Sequence, residues 1–233
     1  MNLHHGSLNC FVDSCPLKWQ SLSQRLRIER NMSDIICRLF WEKTMTEEDT
    51  NFRDYVDVII DWPEPGKAVC DISRLLEHPT IFHEAVVALA RPLVELQPNK
   101  VLGIEQRGLA LGSAIAYYLG CGIVPARSIA YVPDDYKRPV EFLPSSMFAD
   151  RRLALVSESI DEGDRVAIVD DWLVQGTTVL AVKRLLEEKL GATVVGISCV
   201  INNLSDTRLK LLGRPEVFEL IRNLKTDILT PVD

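Results

Sequence analysis

The sequence predicts an α/β protein built on an open, mostly parallel sheet with helices on both faces. Two observations carry that prediction. Short apolar runs suited to buried strands, such as KVLGI at 100–104, RVAIV at 165–169 and TVVGISCVI at 193–201, alternate with stretches of helical apolar spacing. Two of the turns that follow such runs, in GIEQRG and in VAIVDDWLVQGTT, combine polar residues with glycine just where a helix begins. In open parallel sheets that is where ligands bind, because backbone amides and the positive end of the next helix face the same point.

Composition narrows the function classes. With 233 residues, 47% hydrophobic and 25% charged, the chain has the make-up of a domain with one sizeable core. A formal net charge of -7 and a pI near 5.2 repel nucleic acid and anionic membrane, so neither is expected as a principal partner. An anionic ligand needs local donors or a metal ion. The six cysteines are scattered with no C-x-x-C spacing, which fits a reducing cytoplasm. No apolar run approaches membrane-spanning length, and His4, His5, Asp13 and Lys18 stand where a signal peptide would be apolar. A cytoplasmic protein, neither exported nor anchored, is expected.

Taken in order, residues 1–50 read as an N-terminal extension, helical or partly disordered. SLSQRLRIERNMSDIICRLFWEKTM has the period of an amphipathic helix and is followed by the polar TEEDTNFRDY. It is either a docking helix or a stretch ahead of a working start near Met45. His4, His5, Cys10 and Cys15 are of zinc-ligand type but lack the compact spacing of a closed site. Residues 51–233 form the expected main domain. VIIDWPEPG is a short extended run closed by a Pro-Gly turn, and IFHEAVVALARPLVEL is a helix that Pro92 is expected to kink. After KVLGI and its exit turn EQRG comes the helix LALGSAIAYYLG, packed closely through Gly108 and Gly112, and then the strand GIVPARS. Residues 130–165 are rich in Pro, Asp, Arg and Ser and read as an excursion above the sheet with two hairpin arms. RVAIV, VLAVKRLLEEKLGA and TVVGISCVI restore strand, helix, strand; DTRLKLLG and EVFELI complete the pattern, the latter as an edge strand or helix.

Two constellations carry chemistry. Asp170 and Asp171 end a strand, a position from which carboxylates accept hydrogen bonds from sugar hydroxyls while the turn Val174-Gln175-Gly176-Thr177-Thr178 offers amides to a phosphate. The bland alternative is that Asp171 caps the helix and Gly176 makes a tight turn. In Glu105-Gln106-Arg107, the planar fork of Arg107 suits a second phosphate group. Here the alternative is a surface ion pair between Glu105 and Arg107. Arg127, after the next strand, supplies a third positive group. Trp172 reads as sheet-helix packing, and His78 with His83 as a surface pair without a third ligand.

Over residues 56–221 the chain resembles the adenine phosphoribosyltransferases of the type I phosphoribosyltransferase group. DWPEPGKAVCDISRLL is similar to that family's opening segment, GIEQRGLALGSAIAYYLG to its pyrophosphate loop and following helix, and DEGDRVAIVDDWLVQGTTVLAVKRLLEEKLGATVVG to its phosphoribosyl-diphosphate motif. The resemblance implies the type I phosphoribosyltransferase fold with a small hood. It implies transfer of ribose 5-phosphate from phosphoribosyl diphosphate to a purine base, with Mg2+ carried by the substrate, pyrophosphate released, and a homodimer as the assembly. Asp170 and Asp171 would hold the ribose hydroxyls, Val174 to Thr178 the 5-phosphate, and Arg107 with the backbone at Glu105 and Gln106 the pyrophosphate. Arg127 sits where the family also has an arginine. The base would lie under a hood made by Val69, Cys70 and the segment near Ile129.

The departures fall where the chemistry is expected. The family's L-L-A-T-G-G-T reads Trp172-Leu173-Val174-Gln175-Gly176-Thr177-Thr178 here. If the glycine replaced by Thr177 needs a positive φ, a β-branched residue there is strained by roughly 1 to 2 kcal/mol. Ser128 and Tyr131 stand at basic positions of the family, Cys70 at an arginine, Met147 at the loop glutamate and Ala149 at a glycine. Glu141 and Asp150 remain as candidates for the acid/base role. Three functions follow: an active purine phosphoribosyltransferase, a non-catalytic sensor of phosphoribosyl diphosphate, or a structural relic that docks a protein partner through its N-terminal helix.

Overall fold

The structure, a computed structural model, describes residues 50–62, 64–129, 140–144, 152–213 and 216–224. The stretch read as an N-terminal helix, together with Tyr131, Met147, Ala149 and Asp150, lies outside them. The chain divides into two units, Met1–Asp49 and Thr50–Asp233, and every described element belongs to the second.

A short 3-10 turn, Phe52–Tyr55, leads into a separate two-stranded antiparallel ribbon, β1 (Asp57–Ile60) with β2 (Ala68–Asp71), in which Val58 faces Cys70. The Pro-Gly turn between them is held by the Gly66 N–H donating to Asp61 at 2.8 Å, with Gly66 at φ +80. Two helices follow, α1 (Ser73–Glu77) and α2 (Pro79–Val94). Pro79 begins α2, where no amide partner is needed, and His78 Nδ1 accepts from the Ile81 N–H at 3.4 Å. His78 thus caps a helix rather than standing as half of a surface pair. Pro92 falls in the last turn of α2, which runs two residues past it.

The main sheet has seven strands in the order β5-β6-β4-β3-β7-β8-β9. They are β3 (Lys100–Ile104), β4 (Gly122–Ser128), β5 (Val140–Pro144), β6 (Arg152–Val156), β7 (Arg165–Leu173), β8 (Thr193–Asn202) and β9 (Glu216–Arg222). From β4 to β9 all neighbours are parallel. The hairpin β5-β6 was expected above the sheet; instead it extends the sheet edge, with β6 antiparallel to β4 through Arg127–Ala154 and Ser128–Leu153. EVFELI is a strand, as β9.

Adjacent residues of the central strands face opposite layers. Val101, Ala167, Val169 and Val200 pack with Leu89 and Leu93 of α2 and with Leu111 and Ile115 of α3 (Arg107–Leu119). Leu102, Ile168 and Ile197 pack with Val179 and Val182 of α4 (Thr177–Arg184), Leu186 and Leu212 of α5 (Asp206–Leu212). A wider, π-type turn at Leu185–Lys189 continues α4. Among the described residues, no helix is long and apolar enough to cross a membrane.

At the amino ends of β3 and β7 a polar network pins the sheet. Lys100 Nζ lies 2.7 Å from Asp164 and 3.1 Å from Asp161, and donates to the Ser159 carbonyl at 2.8 Å. Asp164 also accepts from Asn99 Nδ2 at 2.8 Å and from the Asp161 N–H at 2.7 Å. Burial alone would raise the Asp164 carboxyl, but these donors outweigh it and hold the group below the usual carboxylate value. A depressed folded-state value stabilises the protein above the unfolded carboxylate range, and that contribution is lost as pH falls below that range and through the folded-state value. Asp164→Asn is expected to lower the unfolding free energy by about 2 kcal/mol at neutral pH and to flatten the acid limb of the stability profile. Urea denaturation across neutral and acid pH measures both; an unchanged acid limb would remove Asp164 from this role.

Candidate active site

The site begins with a backbone contact. A Cβ on Gly108, the second residue of α3, would lie 2.8 Å from Asp170 Cα and 2.9 Å from the Val169 carbonyl oxygen. One on Gly103 of β3 would meet Leu109 Cα at 2.9 Å, and one on Gly112 would meet Gly103 Cα at 3.1 Å. Only glycine permits α3 to rest directly on β3 and β7. The consequence is that Arg107, at the start of α3, emerges beside the acid pair of β7.

Asp170 and Asp171 do not end their strand as expected. β7 continues to Leu173, paired with β8 through Trp172–Ile201 and Leu173–Asn202. Asp170 is buried, and its Oδ1 accepts the Asp171 N–H at 2.9 Å. Burial, and then the adjacent Asp171 charge, push the Asp170 carboxyl well above its usual value, with Arg107 opposing. Asp171 Oδ2 lies 2.5 Å from Arg107 Nε, and Asp71 Oδ1 lies 3.5 Å from Arg107 Nη1. The alternative pairing of Arg107 with Glu105 is not what forms. Glu105 turns the other way: its carboxylate accepts the Ser128 N–H and its own N–H donates to the Ala126 carbonyl at 2.8 Å. The Glu105–Gln106 peptide between β3 and α3 is cis.

Beyond β7, Val174 and Gln175 lead to Gly176, which has φ +69, and Thr177 and Thr178 open α4. The positive φ therefore belongs to Gly176, whereas Thr177 is not among the residues with positive φ. The strain considered for a threonine at 177 does not arise. Thr177 Oγ1 is buried with no hydrogen-bond partner among the described residues. Trp172 packs in the core layer that contains Cys70, and its Nε1 is likewise buried without a partner.

The ribbon contributes Val69 and Cys70 from β2, both buried. Burial, reinforced by the Asp171 charge and opposed by Arg107, pushes the Cys70 thiol up to about 12. Cys70 is therefore a neutral packing group beside the acid pair. Arg127 lies within β4, not after it, and is half-buried, with Ile129 just beyond the strand end. Glu141 is on β5 opposite Leu155, and Asp150 lies outside the described residues. Asp71 was missed. Its signal was the D-x-S spacing ahead of a helix: Asp71 Oδ1 accepts from Ser73 N at 3.0 Å and Ser73 Oγ at 2.7 Å. Among the described residues, no group of three or more His, Cys, Asp or Glu is arranged to hold a metal ion.

The phosphoribosyl transferase domain family matches residues 71–228, the span from Asp71 through β9. The chain is 38% identical over 173 residues to the adenine phosphoribosyltransferase of Desulfitobacterium hafniense strain Y51, covering 74% of this chain and 97% of that protein. It is 35% identical to that of Carboxydothermus hydrogenoformans, covering 74% and 99%. Among solved structures, the adenine phosphoribosyltransferase of Rhodothermus marinus aligns with a TM-score of 0.61 and 32% identity, over 73% of this chain and 96% of that one.

The glycine contact makes a sharp expectation. Gly108→Ala is expected to cost about 1 to 3 kcal/mol by driving α3 off β7. Gly122→Ala, where an added Cβ meets nothing within 4 Å, is the control and is expected to leave stability nearly unchanged. Equal unfolding midpoints for the two variants would show that the close approach is not what seats α3.

Proposed function

The chain belongs to the phosphoribosyl transferase domain family, and we propose that it transfers ribose 5-phosphate from phosphoribosyl diphosphate to a purine base of the adenine type, releasing pyrophosphate. The observation that carries this reading is the ion pair of Arg107 with Asp171 beside buried Asp170. It sets two carboxylates and a guanidinium side by side, which supports reading them as acceptors for sugar hydroxyls and as a hydrogen-bond donor to a diphosphate.

In this assignment Asp170 and Asp171 accept hydrogen bonds from the ribose hydroxyls. The amides of Val174 to Thr178, the Thr177 hydroxyl and the N-terminal end of α4 take the 5-phosphate. Arg107 and the backbone at Glu105 and Gln106 hold the diphosphate, and Arg127 adds positive charge. Transfer breaks the bond from the sugar's anomeric carbon to diphosphate oxygen and forms one to a ring nitrogen of the base. Positive charge develops on the sugar as negative charge develops on the leaving group, so the carboxylates and the arginine both act where charge changes most. The proton leaving the acceptor nitrogen is assigned to Glu141 or Asp150. Val69 and Cys70 place the ribbon over the base.

Magnesium would enter with the substrate, with the Asp170 and Asp171 carboxylates as the residues beside which it would be held. Its chemistry is to offset the negative charge of the diphosphate. Residues 51–233 constitute the transferase domain, with residues 1–50 as an extension. A homodimer in the cytoplasm is the proposed working form, and Tyr117 and Tyr118, exposed at the end of α3, offer apolar contact surface for it.

Calorimetric titration of phosphoribosyl diphosphate with magnesium, followed by adenine and a panel of other purine bases with an assay of pyrophosphate, tests the proposal. Binding with release is expected. Binding without release for any purine base would favour a sensor, and no binding by folded protein would remove the ribose-phosphate assignment. Asp170→Asn is expected to lower kcat/KM about 10- to 100-fold, the range for losing a hydrogen bond to a charged group. Unchanged turnover would take Asp170 out of the ribose site.

A further inference from the structure

Arg107 meets its two carboxylates with different parts of the guanidinium. Nε is at 2.5 Å from Asp171, on the sheet, and Nη1 is at 3.5 Å from Asp71, on the ribbon. Asp71 is the last residue of β2 and is held in place, because the oxygen that faces Arg107 also accepts both Ser73 donors. Those hydrogen bonds, with the nearby arginine, keep its carboxyl below the usual value despite some burial, so it is ionised at neutral pH. Arg107 and Asp71 are both about a third exposed, which leaves the outer edge of the guanidinium open to a ligand.

We propose that Asp71 is a positioning residue that competes with the diphosphate group for Nη1 of Arg107. This rests on the reading of the 105–107 turn as the diphosphate site. With Nε engaged by Asp171, an incoming phosphate must use the Nη donors, and Nη1 faces Asp71 Oδ1. A phosphate oxygen within hydrogen-bonding range of Nη1 then lies against a carboxylate of like charge. The diphosphate prevails because it carries more charge and accepts through several oxygens. Asp71 weakens its hold, keeps Arg107 oriented when the site is empty, and favours departure of the product. The contact also ties the ribbon, which carries Val69 and Cys70, to the state of the diphosphate site.

The test uses inorganic pyrophosphate with magnesium, titrated calorimetrically into the full chain and into Asp71→Asn. Asparagine keeps an oxygen for both Ser73 donors and removes only the charge. The variant is expected to bind pyrophosphate about two- to five-fold more tightly, the range for a partly exposed ion pair, with the gain shrinking at high salt. The KM for phosphoribosyl diphosphate is expected to fall by a similar factor without a rise in kcat. Equal or weaker binding overturns the proposal. If Asp71→Asn does not fold, Asp71→Ser, which removes the charge and leaves a hydroxyl oxygen near the Ser73 donors, is expected to shift binding in the same direction, and no shift there overturns it as well. Failure of the unaltered protein to bind pyrophosphate removes the diphosphate reading and this inference together. Normal binding with no effect of the variant removes the inference alone.

Discussion

The close approach of α3 to β3 and β7 is the constraint on which the rest of the site depends. Helices normally stand off a sheet by the depth of two side-chain layers. Here Gly103, Gly108 and Gly112 remove that layer at three successive points, and backbone meets backbone. Because Gly108 rests on Asp170, the residue before it has no choice of height: Arg107 must leave the helix level with Asp171. Its placement is set by the main chain, and the side chain is not required to find the acid pair by reach alone. A ligand that spans both turns therefore meets donors and acceptors at a separation that neither loop can relax independently.

That placement governs the electrostatics. Asp71, Asp170 and Asp171 surround a single guanidinium in a chain whose formal net charge is already -7. Unlike charges in a partly desolvated site interact more strongly than in water, and so do like charges. The raised carboxyl of Asp170 and the raised thiol of Cys70 have the same two causes, burial and the charge of Asp171. Such a site repels a bare polyanion. Under the proposed function, a polyanion would enter with its charge partly offset by a divalent cation and with hydroxyls that donate to the carboxylates, so selectivity would rest on the carboxylates as much as on Arg107.

The sheet was legible in the sequence because buried parallel strands read as continuous apolar runs: KVLGI, RVAIV and TVVGISCVI all lie in strands of it. The end of β7 was not. Asp170-Asp171 reads locally as a turn, and pairing with β8, which no local pattern reveals, carries the strand three residues beyond Asp170. The strands β5 and β6 were visible as two arms but not as a sheet edge, because their link to β4, two residue pairs among the described residues, is long-range and leaves no local pattern. Of the site, the two turns were legible from their composition, whereas the partners of Arg107 were not. Asp171 is 64 residues away in sequence, and Glu105, the nearer carboxylate, is drawn off by the Ser128 amide. Asp71 was hidden in a short polar stretch whose spacing indicates a helix start and nothing about what the carboxylate faces.

In the divergent turn after β7 the donors differ from the family's pattern while the glycine that bends the chain is kept. The unusual backbone conformation is confined to Gly176, which is retained, and a Cβ there would also press on Leu204 at 3.0 Å. Position 177 is the first helical residue, so a β-branched side chain fits without strain. The threonine brings a hydroxyl that is buried without a partner among the described residues, and a buried donor left unmade costs on the order of 1 to 3 kcal/mol. An anion at the amino end of α4 would satisfy it, drawn there by the positive end of the helix dipole. The hydroxyl that Gln175 lacks has in effect moved two residues along the chain, onto a helix that holds it still. A substitution of that kind alters the list of donors while the one left-handed residue of the turn, Gly176, keeps its place ahead of the helix.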